Sequence, residues 1–521
     1  MRKSTVSVMV SSIVLSACGG GGGGDSTKST ISSTPATTAQ VTEPTELFAS
    51  TPIFLPDVKS RYDQLCGRRA NVQNAIPVDI NKDGKMDIVF NLACLQPQFG
   101  VAFSGDVPNM LIALVQDKDG NFVDKTTEVF GTEKPNIGGI GIFSVVSDFN
   151  NDGIKDIVYA VNREDGRLVD STEIRNHRSS AVALISNGTG YNIVKINEPE
   201  YGYSVALKEN IYGKNDVVLL PFSTSSAYTY DNGWKKLPGY DWVSNTSTVF
   251  FKAISPGLGS TIAVTPSPHP RTGVELWKGY GNNWSKVHEY KYAEPELVMM
   301  KSWTGNTGLV PLIKLDGQDY IGPSMAGVCE IKKTKNSESE ALMLFAANIV
   351  IGGYKGQTLV EGDKNTMKGV HKLISFSVNS GGAITKTDLK IQNEREPSAF
   401  YRLNCLDVNG DGVDDITYHE PQGGPPSGGT VIYPTIYLND GNGSFNRVSD
   451  KWFPRPPNGS SYVYEDFNGD GIKDLLYFPL TGYEGSDNDH GSLPHGHLIQ
   501  SNSVKYHLYL GKRKLKSSDL M

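Results

Sequence analysis

A chain of 521 residues with only five cysteines is not a disulfide scaffold. None of the five forms a CxxC pair, which disfavours a zinc ribbon or a thioredoxin-type site. Positive charge is not in excess: 49 Lys and Arg against 56 Asp and Glu give a formal charge of −7. No long basic run interrupts the sequence, so the electrostatic footprint of a nucleic-acid binder is missing. Beyond the N-terminus no segment is long and apolar enough for a transmembrane helix. Catalytic signatures are thin as well, since HExxH, the P-loop and GxGxxG are all absent. GPSMAG from Gly322 misses the GxSxG nucleophile elbow because Ala326 occupies the last glycine position. What the chain has in quantity is glycine (56) and tyrosine (24), with 38% hydrophobic and 20% charged residues. That mix suits short strands and many turns, and it is too apolar for a disordered chain.

The N-terminus points to a compartment. Arg2 and Lys3 precede a modest apolar stretch, Thr5 to Ala17, that is too short to span a bilayer as a mature helix and reads as a cleaved signal over 1–17. The string Leu15-Ser16-Ala17-Cys18 resembles the lipobox of bacterial lipoproteins; a chance cysteine after a short apolar segment is the other reading. The resemblance implies acylation of Cys18 and attachment to the membrane through an N-terminal lipid. Gly19 in place of Asp implies sorting to the outer membrane, with the body facing the periplasm or the cell surface. Residues 18–45 would then be the lipidated cysteine and a disordered Gly/Ser/Thr-rich tether, holding the body roughly 30 Å from the lipid on average. Assigning Cys18 to lipid leaves an even set. Proximity along the chain favours Cys66 with Cys94 and Cys329 with Cys405, as opposed to four buried free thiols.

The strongest signal is a repeat. DINKDGKMDIVF from Asp79, DFNNDGIKDIVY from Asp148, DVNGDGVDDITY from Asp407 and DFNGDGIKDLLY from Asp466 all fit D-x-N-x-D-G-x-x-D followed by three β-prone residues. Positions 1, 3, 5, 6 and 9 are shared with an EF-hand loop, which also needs a bidentate Glu at position 12. Here position 12 is Phe90, Tyr159, Tyr418 and Tyr477, and the residues after position 9 favour strand over helix. Upstream, 144–147 and 461–465 also read as strand, so the loop joins two strands. The EF-hand and dockerin readings fail.

The four loops resemble the FG-GAP and VCBS repeats of integrin-α-like β-propellers. Downstream segments support the likeness: LVQDKDGNFVDKT from Leu114, LISNGTGYNIVKI from Leu184 and YLNDGNGSFNRVS from Tyr437 each read as a strand, a tight turn and a strand. One repeat is then four antiparallel strands, which is one propeller blade. The loops start 69 residues apart in the first pair, 59 in the last, and 259 across the gap between the pairs. Divided by about 65, that gap holds three degenerate blades, with remnants near Asn210, Ser260 and Lys314. The expected fold is all-β, a seven-bladed β-propeller over 46–515 with six or eight blades as alternatives, followed by a tail at 516–521.

In the resembled family, positions 1, 3, 5 and 9 give side-chain oxygens to calcium and position 7 gives a backbone carbonyl. Carried over, the first site is Asp79, Asn81, Asp83, Asp87 and the Lys85 carbonyl; the second is Asp148, Asn150, Asp152, Asp156 and the Ile154 carbonyl. The third is Asp407, Asn409, Asp411, Asp415 and the Val413 carbonyl, and the fourth is Asp466, Asn468, Asp470, Asp474 and the Ile472 carbonyl. All-oxygen hard ligands select Ca2+ over zinc or copper. The alternative is a set of polar turns without metal. Four bound dications would move the formal charge from −7 to +1.

In an up-and-down blade the first and third connections share one face, so metal loops and hairpins lie together. The long second connections, roughly 91–109, 160–179, 419–431 and 478–503, gather on the other face. Integrin-like propellers bind partners there, and the resemblance implies the same here; ordinary surface loops are the competing reading. One loop carries Asp487, Asp489, His490, His495 and His497, which could hold a transition metal or be merely solvated. Trp234, Trp277 and Trp284 could stack a sugar, with blade-core packing as the better account. Function then reads as a membrane-anchored binding or adhesion module for a protein or glycan partner, with no catalytic residue assigned. The alternatives are a lipid-anchored carbohydrate-active enzyme, lyase-like by fold analogy alone, and a structural subunit of an envelope assembly.

Overall fold

Three β-branched, aliphatic or aromatic residues after each aspartate loop cannot all be satisfied on a surface, and each run becomes the second strand of a four-stranded sheet. The computed structural model describes residues 44–56, 70–94, 109–138, 140–162, 179–197, 205–208, 216–220, 226–242, 249–251, 261–266, 273–280, 283–291, 296–301, 307–315, 318–337, 340–349, 354–355, 358–360, 369–378, 384–389, 391–392, 402–419, 433–457, 460–479 and 506–521. Seven sheets are arranged as a seven-bladed β-propeller. Among the described residues no helix is long and apolar enough to cross a membrane.

Blade 1 is Ala70–Val78, Asp87–Cys94, Asn109–Gln116 and Phe122–Asp124, and blade 2 is Ile140–Ser147, Asp156–Asn162, Val182–Ser186 and Tyr191–Lys195. In both, successive strands pair antiparallel in chain order. Blades 3 and 4 repeat that order over 206–237 and 249–291 without an aspartate loop. The remnants expected near Asn210 and Ser260 are these two blades. Burial runs across a blade as the architecture demands: Asn109–Gln116 and Val182–Ser186 are almost wholly buried between neighbouring sheets, whereas the fourth strand of blade 4, Asn283–Lys291, faces solvent along most of its length.

Blade 5 departs from the expected four strands. Its own four, Gln318–Ile331, Glu340–Ile349, Gly369–Val378 and Ile384–Leu389, belong to an eight-stranded sheet. Thr307–Leu315 pairs with the start of Gln318–Ile331, Glu296–Lys301 pairs with Thr307–Leu315, and Thr358–Val360 joins Glu296–Lys301 in parallel. The extension is therefore built from the chain before blade 5 and from blade 5's own second connection. Ser324 of GPSMAG lies within the Gln318–Ile331 strand, paired with Ala346, and not on a strand-to-helix elbow.

Blade 6 is Arg402–Leu406, Asp415–His419, Thr435–Asn439 and Phe445–Arg447, with Ile391–Gln392 added in parallel at its edge. Cys405 on its first strand is bonded to Cys329 on the first strand of blade 5, with the Cα atoms 5.8 Å apart. The bond closes a loop between residues 76 positions apart, and chain entropy puts its stabilisation at about 4–5 kcal/mol. The denaturation midpoint should fall by the corresponding amount in reductant. An unchanged midpoint would show that this staple contributes nothing. Cys18 and Cys66 lie outside the described residues, and with them the lipid site and the Cys66–Cys94 pairing.

The ring closes between the chain ends. Blade 7 supplies Ser460–Glu465, Asp474–Pro479 and His507–Tyr509, and its outermost strand is Ile53–Phe54 from the N-terminal end, with Ile53 opposite Leu508. Further bonds continue the seam: Lys512 N–H donates to Leu47 O at 2.9 Å and Ala49 N–H to Leu510 O at 2.8 Å. Leu47 and Phe48 are buried in one core with Phe453, Tyr464, Leu475 and Tyr477. The last residues, expected as a tail, pack on blade 6: Ser449 N–H donates to Asp519 O at 2.9 Å and Met521 N–H to Arg447 O at 3.0 Å. Buried Arg513 holds the turn by donating to both Asp519 oxygens at 2.7 and 2.8 Å.

Candidate metal loops

The four loops share one hydrogen-bond scheme. In the third, Asp407 Oδ1 accepts from Asp411 N–H at 3.1 Å and Oδ2 from Gly412 N–H at 2.8 Å, while Asn409 Oδ1 accepts from Asp411 N–H at 3.0 Å and Asp411 Oδ1 from Val413 N–H at 3.0 Å. The same bonds recur around Asp79, Asn81 and Asp83, around Asp148, Asn150 and Asp152, and around Asp466, Asn468 and Asp470. Side-chain oxygens at positions 1, 3 and 5 are thus drawn into one turn by backbone donors. The turn needs left-handed backbone at positions 4 and 6. Position 6 is always glycine, at φ from 82° to 92°, and position 4 is Lys82, Asn151, Gly410 or Gly469, at φ from 59° to 74°. Gly469 is needed for a second reason: a Cβ there would sit 2.8 Å from the Gly84 carbonyl oxygen of the first loop.

Position 9 differs from the other three. Asp87, Asp156, Asp415 and Asp474 are each fully buried. One carboxylate oxygen accepts from the N–H of position 2: Ile80 at 2.9 Å, Phe149 at 2.7 Å, Val408 at 3.0 Å and Phe467 at 2.8 Å. The other oxygen accepts from the end of the blade's third strand or just beyond it: Gln116 at 2.8 Å, Ser186 at 2.7 Å, Asn439 at 2.8 Å and Gly511 at 2.7 Å. Each aspartate therefore bolts its loop to the third strand of its own blade.

The position-2 side chains carry that bolt across to the next blade. Ile80 packs with Ile154 and Ile157 of blade 2, and Phe149 with Val218 and Tyr228 of blade 3. Val408 joins Leu475 and Tyr477 of blade 7, and Phe467 joins Phe90, Ile112 and Phe122 of blade 1. Backbone contacts follow the same direction: Met86 N–H donates to Phe467 O at 3.1 Å, and Gln116 Nε2 donates to Met86 O and Phe467 O at 2.7 and 2.6 Å. Lys82 of the first loop donates to Asp152 O of the second. Neither the position-9 bolt nor the position-2 plug was assigned from sequence. The signal was present in the apolar residue at position 2 of all four repeats.

Burial raises these carboxyls above the usual range. Desolvation pushes Asp87 and Asp156 to about 6 and Asp415 and Asp474 to about 7, against the lowering effect of their backbone donors. Neighbouring carboxylates add to the rise: Asp83 and Asp79 on Asp87, Asp148 on Asp156, Asp411 and Asp407 on Asp415, Asp470 and Asp466 on Asp474. Among the described residues no three His, Cys, Asp or Glu side chains converge as a ready metal cluster. The donor set nevertheless suits a hard cation, because it is all oxygen and its negative charges disfavour one another.

The hairpins lie at the same end as the loops. Lys85 Nζ donates to Asp117 O and Lys118 O of the blade 1 hairpin, both at 3.3 Å, and Asn150 Nδ2 donates to Ser186 O beside the blade 2 hairpin at 2.9 Å. The second connections lie almost entirely outside the described residues, as does the whole segment from Asp487 to His497. The three tryptophans do not form one platform. Trp277 stacks on Trp242 and Trp284 meets it at a tilt, with ring centroids 4.7 and 4.9 Å away, whereas Trp234 packs separately on Phe149 at 5.4 Å. Trp284 also lies flat on Gly279, where a Cβ would meet its ring at 2.1 Å. The Trp242 and Phe149 contacts are packing between blades, and the Gly279 contact is cross-strand packing within blade 4.

Residues 407–477 match the FG-GAP-like repeat family. No curated protein matches the chain. Among solved structures, the chain is similar to an exotype rhamnogalacturonan lyase at 12% identity, covering 85% of this chain and 72% of that one, with a TM-score of 0.36. It is similar to a Bacillus licheniformis rhamnogalacturonan lyase at 10% identity, covering 90% and 75%, with a TM-score of 0.29. An Aleuria aurantia lectin bound to α-methyl-L-fucoside aligns at 11% identity over 78% and 96%, also at 0.29. At TM-scores this low none of the three bears on what this chain does. The third and fourth loops, with the strands they join, are an FG-GAP-like repeat region carried in a seven-bladed β-propeller.

Proposed function

We propose that the chain is a calcium-stapled propeller, attached to the outer membrane through lipid on Cys18, that presents a binding surface to a protein or glycan partner. The observation that carries the calcium reading is the fourfold loop scheme. Each loop gathers two aspartates and an asparagine oxygen in one turn, together with a buried carboxylate whose ionised form those charges disfavour. Positions 1, 3, 5 and 9 of each loop would hold the ion, with the carbonyls of Lys85, Ile154, Val413 and Ile472. A bound dication supplies charge neutralisation at each loop. Because position 2 of every loop plugs into the next blade, ordering a loop also tightens a blade interface. The loop end is thereby spoken for by structure. The other end of the blades is left for the partner.

Calcium is expected to raise the melting temperature, with each filled site adding about 2.7 kcal/mol at a hundredfold excess over its Kd. An identical melting curve in calcium and in EGTA would remove calcium from the reading. A glycan array probed in both buffers then addresses the partner. Binding lost on chelation supports a calcium-dependent glycan module, and no binding in either buffer sends the search to protein partners.

A further inference from the structure

The C-terminal sequence Lys512-Arg513-Lys514-Leu515-Lys516 puts four basic residues in five, and its burial alternates. Arg513 and Leu515 are buried, whereas Lys512, Lys514 and Lys516 are exposed. The alternation is held from beneath. Arg513 pairs with buried Asp519, and its guanidinium lies 5.1 Å from the centre of the Trp452 ring, on which Lys451 also rests at 5.0 Å. Exposed Lys451 therefore joins the same surface. Nearby acidic groups are mostly committed elsewhere, Asp519 to Arg513 and Asp450 to Arg447 at 2.6 Å. Glu46 meets Lys512, but both side chains are well exposed, so solvent screens that pair. Lys514 leans over Gly410 of the third aspartate loop.

The position of the strip matters as much as its charge. Thr45 O accepts from Arg513 Nε and Nη2 at 3.4 Å, so the first described residues lie against the strip. Pro44, the first described residue, is next to Thr45 and so lies beside these lysines. If the segment before Pro44 carries a lipid, the strip lies beside the point where that tether joins the body. A polybasic patch adds electrostatic attraction to anionic lipid beside an acyl anchor.

We propose that Lys512, Lys514 and Lys516, with Lys451 beside them, form a docking strip for the anionic headgroups of a lipid bilayer. The geometry of the strip stands without the lipid, but its use at a membrane rests on the anchor reading. Docking here would turn the aspartate-loop rim of blades 6 and 7 toward the bilayer and leave the other end of the blades free for a partner.

The test separates the two ideas. The chain from residue 18 onward, carrying Cys18→Ser so that no acyl chain contributes, is sedimented in calcium with vesicles of phosphatidylglycerol and phosphatidylcholine, and with phosphatidylcholine alone. Binding is expected only to the anionic vesicles, and it should weaken with added salt. Each lysine at a charged surface is worth about fivefold, so K512S/K514S/K516S should lower affinity on the order of a hundredfold at an unchanged melting temperature. The triple Lys→Arg variant should bind as the parent does. Equal binding to both vesicle types, no binding, or an undiminished K512S/K514S/K516S variant would overturn the proposal. So would capture by dextran sulfate without vesicle binding, which would make the strip a reader of polyanionic glycan. The anchor is read independently, by whether radiolabelled palmitate enters the full chain and is lost on Cys18→Ser.

Discussion

Asp415→Ala is expected to lower the stability of the propeller by about 2–6 kcal/mol, and to do so in EGTA as well as in calcium. The loss follows from what the side chain holds. Its two oxygens accept from the buried N–H groups of Val408 and Asn439, and each donor left without a partner costs about 1–3 kcal/mol. Asp411→Ala, in the same loop, makes the informative contrast. That side chain caps a partly exposed turn through Val413 N–H and Asn409 Nδ2, so its removal in EGTA should cost only about 0.5–1.5 kcal/mol. In calcium its cost should grow, because a ligand is lost as well. Urea denaturation of both variants in both buffers gives four numbers. If Asp415→Ala were harmless in EGTA, position 9 would be a metal ligand alone and the bolt described here would be wrong.

The second large effect belongs to the seam. Phe48→Ala should cost about 3–5 kcal/mol and Leu47→Ala about 2–5 kcal/mol, since both side chains are buried in the core that joins the N-terminal segment to blades 6 and 7. Together they would remove a large part of the 5–15 kcal/mol typical of a folded protein. Phe54→Ala is the control from the closing strand itself. Phe54 is 54% exposed and meets His507 in a T-shaped contact, with ring centroids 5.1 Å apart, so about 1 kcal/mol is expected. Similar losses for Phe48→Ala and Phe54→Ala would mean that the seam is held by strand pairing and not by the core beneath it.

The parts of this fold that sequence revealed are those encoded locally. Each aspartate loop carries its turn, its left-handed glycine and its following strand within twelve residues, so all four loops are legible in the sequence, with the hairpins that follow three of them. Counting the gap between them in blade lengths then gave seven. The position-9 contacts were hidden because Asp87 reaches Gln116 across 29 residues, and no spacing rule links them. The closing strand was hidden for a different reason. Ile53–Phe54 is two residues long, too short to show any alternation. Blade 5's extension was missed because its strands come from two separate connections. The basic strip at 512–516 was lost in the average, since a chain with a formal charge of −7 gives no reason to inspect its last ten residues for lysine.

Ring closure by Ile53–Phe54 also sets an order of events during synthesis. Ile53 is among the first residues of the body to be made, and its partner Leu508 follows 455 positions later. At about 5–20 residues per second, the closing strand waits on the order of 20–90 s for something to pair with. Six blades can assemble in that interval, but the seventh cannot be completed from its own neighbourhood in the chain. Its edge at His507–Tyr509 stays open until the N-terminal strand arrives. An open edge accepts any strand of suitable register, including Ile53–Phe54 of another copy. Exchange of first strands between crowded nascent chains, giving swapped dimers, is therefore the expected misassembly of this ring.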